Sequence, residues 1–154
     1  MKIAVNKYDI FIEVICLVCL ISITTLLVVL WSGLPAQLPA HFNAAGEIYR
    51  MGDKGGLIFL VVINWVLYAF ITVLERFPQI WNTGVAVTEE NKGRVYRVLK
   101  SMIGTVKLIC VLDFTYMAWK MIQGQSLPAA FTLVVLAAVF GSIIFFLIRL
   151  FRVR

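Results

Sequence analysis

Apolar residues run along this chain in four long stretches, and the polar residues collect between the stretches. The first extends from Ile10 to Trp31, which as a helix rising 1.5 Å per residue is about 33 Å long and matches a hydrocarbon core of about 30 Å. The others run from Gly55 to Leu74, from Ser101 to Met121 and from Pro128 to Leu150. Each is long enough to cross a bilayer. The pattern predicts an all-α integral membrane protein, a single domain over 1–154 with spans at about 10–31, 55–74, 101–121 and 128–150. The first stretch is too long for the apolar part of a cleaved signal peptide and lacks a good small-residue cleavage site, so it is read as a signal anchor. Thr88-Glu89-Glu90-Asn91 resembles an N-cap with an acidic first turn, which starts the third helix ahead of the membrane with Lys92, Arg94, Arg97 and Lys100 on its opening turns. Pro128 stands at the mouth of the fourth helix, where its missing N–H costs nothing.

Composition agrees with this reading. Of 154 residues, 62% are apolar and 14% charged, well beyond what a water-soluble domain carries. The net charge of +6 does not form a nucleic-acid patch, because the basic residues sit at the ends of the spans and fit contact with anionic lipid. Lys2, Lys7, Arg76, Lys92, Arg94, Arg97, Lys100, Arg149, Arg152 and Arg154 fall on one side, and only Arg50, Lys54 and Lys120 on the other. The positive-inside rule then predicts both termini in the cytoplasm and the segment from Ser32 to Lys54 outside. Cys16, Cys19 and Cys110 all lie within apolar stretches and read as small buried hydrophobes rather than a disulfide framework or a redox pair.

The outer connection holds the densest set of unusual residues. Pro35 and Pro39 stiffen its first half, and Gly46 and Gly52 permit turns that other residues resist. It predicts a structured loop. The loop contains the single histidine, His41, with Phe42, Asn43, Gly46, Glu47 and Asp53 close in sequence, a set suited to a polar ligand at the outer surface. In the plainer alternative, His41 and Asn43 satisfy the backbone of the loop and pack it on the helices. The set matches no familiar zinc spacing, and no metal or cofactor is expected.

Leu34-Pro35, Pro39-x-His41-Phe42-Asn43, Gly46, Gly52 and Lys54 resemble the signature loop of the SdpI-type bacterial membrane proteins. The likeness continues in Phe77-Pro78, Asn82 and Thr88-Glu89-Glu90-Asn91, so that it covers roughly residues 10 to 120. The resemblance implies a multi-span protein of the bacterial plasma membrane with a role in immunity to a secreted peptide toxin, or in signalling its presence. The chain departs from that family's pattern at Tyr49, where an acidic residue is often found, and in having four spans where the immunity proteins continue further.

Ionisable groups inside a span cost about 2.5–3.5 kcal/mol on insertion scales and mark functional candidates. Here they are Glu13, Lys107 and Asp113. Glu13 and Lys107 both lie toward the cytoplasmic ends of their spans and are expected to pair. Asp113 and Asn64 share a deeper level and are expected to hydrogen-bond across antiparallel helices. The chain lacks the H-E-x-x-H, G-x-S-x-G and P-loop motifs, so no catalytic residue is assigned. The expected function is therefore non-catalytic binding of an extracellular peptide, with membrane lipid and a second copy of the chain as further partners. An ion- or proton-coupled transporter using Asp113 is the alternative, and a metal-dependent intramembrane enzyme is a more distant one.

Overall fold

The computed structural model describes residues 3–154. Four helices form an antiparallel bundle: α1 (Lys7–Leu30), α2 (Gly55–Leu74), α3 (Lys92–Ile122) and α4 (Phe131–Val153). A hairpin of β1 (Gln37–Phe42) and β2 (Ile48–Asp53) joins α1 to α2, and single 3-10 turns occupy Trp31–Gly33 and Pro78–Ile80. The connection read as a loop is thus an antiparallel two-stranded sheet, pairing Gln37 with Asp53 and Phe42 with Ile48 through an irregular register around His41.

Three helical segments are long and apolar enough to cross a membrane: Lys7–Gly33, Gly55–Leu74 and Phe131–Val153. α3, at 31 residues, packs against each of the other three helices, whereas α1 and α2 touch much less extensively. Its central place fits its composition: Thr105 and Lys107 of α3 meet Tyr8 and Glu13 of α1, and Thr115 meets Asn64 of α2.

Local chemistry moves the boundaries away from the apolar limits. α1 starts at Lys7, ahead of Ile10, because Asn6 and Asp9 form a reciprocal capping box, Asn6 Oδ1 accepting from the Asp9 N–H at 2.9 Å and Asp9 Oδ2 from the Asn6 N–H at 3.1 Å. The first turn of α3 is not acidic. Glu89 and Glu90 lie in the turn that precedes it, where Asn91 Oδ1 accepts from the Thr88 N–H at 2.8 Å. α4 begins three residues beyond Pro128, whose carbonyl accepts from the Phe131 N–H at 2.8 Å.

The interior is a set of stripes. Ile12, Cys16, Leu20, Ile23 and Leu27 are buried along one face of α1 at the three- and four-residue spacing of a helix. Ile12, Cys16 and Leu20 pack with Val111 at mid-bundle, while Ile23 and Leu27 join Leu38, Leu57, Val61, Ala118 and Met121 under the hairpin. Val95, Val98 and Leu99 of α3 close on Phe146 and Leu150 toward the C-terminal end of α4. The remaining faces are apolar and bare, as at Leu133, Phe140 and Ile144 of α4 and Phe59 and Phe70 of α2. Such continuous apolar exposure identifies a surface made for lipid.

Candidate functional site

Polar side chains collect at both ends of the bundle, each time around a cavity. At the end where α1 begins and α4 finishes, Lys107 projects from α3 into the space between α1 and α2 and is 1% exposed. Its ammonium lies 2.5 Å from Glu13 Oε1 and 3.0 Å from Glu75 Oε2, and donates to Thr72 Oγ1 at 3.2 Å. The Tyr68 hydroxyl donates to the other Glu13 oxygen at 2.8 Å. Three helices thus build one charged triad, and each of Lys107's three protons has an acceptor.

Nearer the terminus, Asp9 takes Arg97 Nη1 at 2.9 Å and Lys100 Nζ at 3.1 Å. Arg97 also donates to the Ala4 carbonyl. The two clusters share a cavity of about 680 Å³ that reaches apolar residues Ile10, Val14 and Leu17 of α1. Burial raises the Glu75 carboxyl above the ordinary carboxylate value, against the opposing pull of Lys107.

At the hairpin end the geometry is set by Asn43. Its Oδ1 accepts from the N–H groups of Ala45 at 3.0 Å and Glu47 at 2.9 Å, and its Nδ2 donates to Glu47 Oε2 at 2.8 Å. Gly46 then turns with φ of 79°, its carbonyl accepting from the Leu127 N–H at 2.8 Å. A Cβ there would sit 2.5 Å from the Leu127 carbonyl oxygen, so the residue's smallness fastens the hairpin tip to the connection between α3 and α4. At the hairpin base, Asp53 Oδ1 accepts from the Gly55 N–H at 2.7 Å, and the Lys54 ammonium donates to the Trp31 carbonyl at 3.2 Å while lying over that residue's ring. Asn43, Gly46, Glu47 and Asp53 therefore shape and anchor the hairpin.

His41 is exposed beside Tyr49, with ring centroids 6.0 Å apart. His41, Phe42 and Asn43 line a cavity of about 350 Å³ together with Asp113 and Met117 of α3 and Phe131 and Thr132 of α4. The histidine of the loop and the deepest carboxylate, expected to belong to separate sites, share one space. Asp113 takes part in none of the ion pairs among the described residues.

The expected bond between Asp113 and Asn64 is replaced by another arrangement. Asn64 Nδ2 donates to the Val111 carbonyl at 3.3 Å and to Thr115 Oγ1 at 3.2 Å, while its Oδ1 has no described partner. At about 100° per residue, positions 111 and 115 share a face of α3 and position 113 points roughly opposite. The depth is shared and the direction is not. Sequence reasoning paired Glu13 with Lys107 but missed Glu75, Tyr68 and Thr72. Their signal is the four- and three-residue spacing 68, 72, 75, which places them on one face of α2.

Among the described residues, no group of three His, Cys, Asp or Glu side chains is arranged to hold a metal ion. No curated protein and no solved structure matches the chain. A protein-family model described as a domain of unknown function (DUF1648) matches residues 17–64, the stretch from α1 through the hairpin into α2.

Proposed function

We propose that this protein crosses a bacterial plasma membrane four times with both termini in the cytoplasm, and that its hairpin end captures an extracellular peptide without breaking a bond. The role is immunity to a peptide toxin or signalling of its presence, as the resemblance to SdpI-type proteins implies. The observation that carries the reading is the cavity of about 350 Å³ at the hairpin end, lined both by His41 of a firmly anchored hairpin and by Asp113, whose carboxylate joins none of the ion pairs among the described residues. Such a cavity takes a basic side chain, and the exposed β2 strand beside it offers the main-chain edge along which extended peptides add. Exposed Tyr49 and Met51 supply apolar contacts on that strand.

The test is survival of a sensitive bacterium expressing the protein and challenged with secreted peptide toxins of related strains. Wild-type protein should protect, and His41→Ala and Asp113→Asn should each lose protection at equal membrane levels. Absence of protection by well-expressed wild-type protein overturns the reading. Asn43→Ala is a poor probe, because that side chain holds the turn.

One observation favours a second reading, a proton- or ion-coupled transporter: Asn64 is 1% exposed yet keeps an oxygen without a described partner in the α2–α3 interface, an arrangement suited to a transient cation. Flux driven by a pH or sodium gradient into proteoliposomes, lost in Asn64→Leu, would support transport, and its absence would remove it.

A further inference from the structure

The cavity of about 680 Å³ beside the triad has the size of a small-molecule site, about 300–1,000 Å³, and its charged groups differ in how fully they are used. Asp9 is held by Arg97 and Lys100, and Glu13 and Glu75 are held by Lys107. Every carboxylate on the lining therefore has a cation. Arg76 has no carboxylate: it lines the cavity, is exposed, and joins none of the ion pairs among the described residues. Lys100 also lines the cavity and shares its one carboxylate, Asp9, with Arg97. The unspent charge is thus positive and lies at the rim, whereas at the floor Lys107 fills the space between Glu13 and Glu75.

Local structure holds Arg76 in place. It is the second residue beyond α2, its N–H donates to the Val73 carbonyl at 2.9 Å, and Trp81 Nε1 reaches back to the Leu74 carbonyl at 2.9 Å. Phe77 and Ile80 of the same turn are exposed. A guanidinium flanked by bare apolar side chains at the end of a spanning helix suits the boundary between headgroups and acyl chains. From that boundary an apolar wall of Ile10, Val14 and Leu17, all exposed and all lining the cavity, runs along α1 toward mid-bilayer. It borders the cleft between α1 and α2, which touch each other less than either touches α3.

We propose that this cleft holds one anionic phospholipid, its phosphate on Arg76 with Lys100 as the second cation, and one acyl chain along Ile10, Val14 and Leu17. The planar guanidinium offers a phosphate two parallel donors. A zwitterionic phospholipid fits less well, because its ammonium finds no free carboxylate when Asp9, Glu13 and Glu75 are all engaged. The net negative charge of the lipid answers the positive charge left at the rim.

The full chain, delipidated in a nonionic detergent, is titrated with phosphatidylglycerol or with phosphatidylcholine of the same acyl chains and followed by native mass spectrometry. One phosphatidylglycerol should bind per chain, about tenfold more tightly than phosphatidylcholine, the scale of one charge contact. Arg76→Gln should remove that preference. Arg94→Gln deletes the same charge at the same end of the bundle from an exposed position outside the cavity, and it should leave the preference intact. Val14→Trp keeps every charge and fills the wall, so it should abolish the single adduct, and it decides the matter should Arg76→Gln fail to fold. Glycerol 1-phosphate should not compete. Equal losses in Arg76→Gln and Arg94→Gln would overturn the proposal, since they would mean diffuse attraction to a basic surface. So would equal binding of the two lipids, an unchanged adduct in Val14→Trp, displacement by glycerol 1-phosphate, or no adduct at all.

Discussion

Lys107→Met isolates what the buried triad contributes. Methionine has nearly the length of the lysine stem, so the substitution removes the charge while leaving little void. It leaves Glu13 and Glu75 facing the same space, with Tyr68 and Thr72 unable to supply a positive charge. Removing one partner of a buried ion pair costs about 3–5 kcal/mol. Glu75 is nearly enclosed, its side chain 11% exposed, but Glu13 is 33% exposed and keeps some solvation, so the lower end of that range, about 3 kcal/mol, applies. The variant combining Lys107→Met with Glu13→Gln and Glu75→Gln removes the stranded charges and should recover most of the loss, because neutral replacement of a whole buried cluster is often tolerated. Equilibrium unfolding by sodium dodecyl sulfate in mild-detergent micelles, followed by far-ultraviolet circular dichroism, measures both. A single variant within about 1 kcal/mol of wild type, or a triple variant as unstable as the single, refutes the reasoning, since either means that the carboxylates do not depend on Lys107.

Three further outcomes follow from the same geometry. Alanine at Gly46 meets both a positive φ and a backbone oxygen 2.5 Å away, at Gly84 only a φ of 64°, and at Gly56 neither. Thermal unfolding should therefore rank Gly46→Ala as worst by about 2–4 kcal/mol, Gly84→Ala near 1 kcal/mol, and Gly56→Ala neutral or better, and equal losses at the first two sites would contradict the contact with Leu127. Asn43→Ala removes three exposed turn hydrogen bonds and should cost about 1–2 kcal/mol, read as faster hydrogen exchange confined to the hairpin, whereas His41→Ala should leave that exchange unchanged. Glu75, surrounded by Glu13 and Asp9 from α1, the adjacent Arg76, and Lys100 and Lys107 from α3, is held by burial above its ordinary 4.5. The folded protein thus binds more protons there than the unfolded one, stability from this group falls as pH rises from about 4.5 through the raised value, and Glu75→Gln should flatten that part of the profile.

What could be read from the chain, and what could not, divides along a physical line. Depth in a bilayer is encoded one-dimensionally, by counting residues from the ends of an apolar stretch. That count puts Glu13 and Lys107 at one level, and they are in contact; it puts Asn64 near Asp113, and they are not. Azimuth decides between the two cases. Lys107 lies on the face of α3 turned toward α1 and α2, while Asp113 lies on the face turned toward α4 and the hairpin, and only the packing of α3 at the centre of the bundle fixes which face meets which helix. The hairpin was hidden for a related reason. Gln37–Phe42 includes Pro39, a residue that weakens any strand assignment, and the pairing of β1 with β2 depends on the side-chain bonds of Asn43 and on Gly46. In sequence these residues look like ligand-binding groups because they are polar or small, conspicuous and clustered. Their chemistry is spent inside the turn, which leaves His41 and Asp113, the two groups sequence reasoning placed in different sites, as the pair that faces open space together.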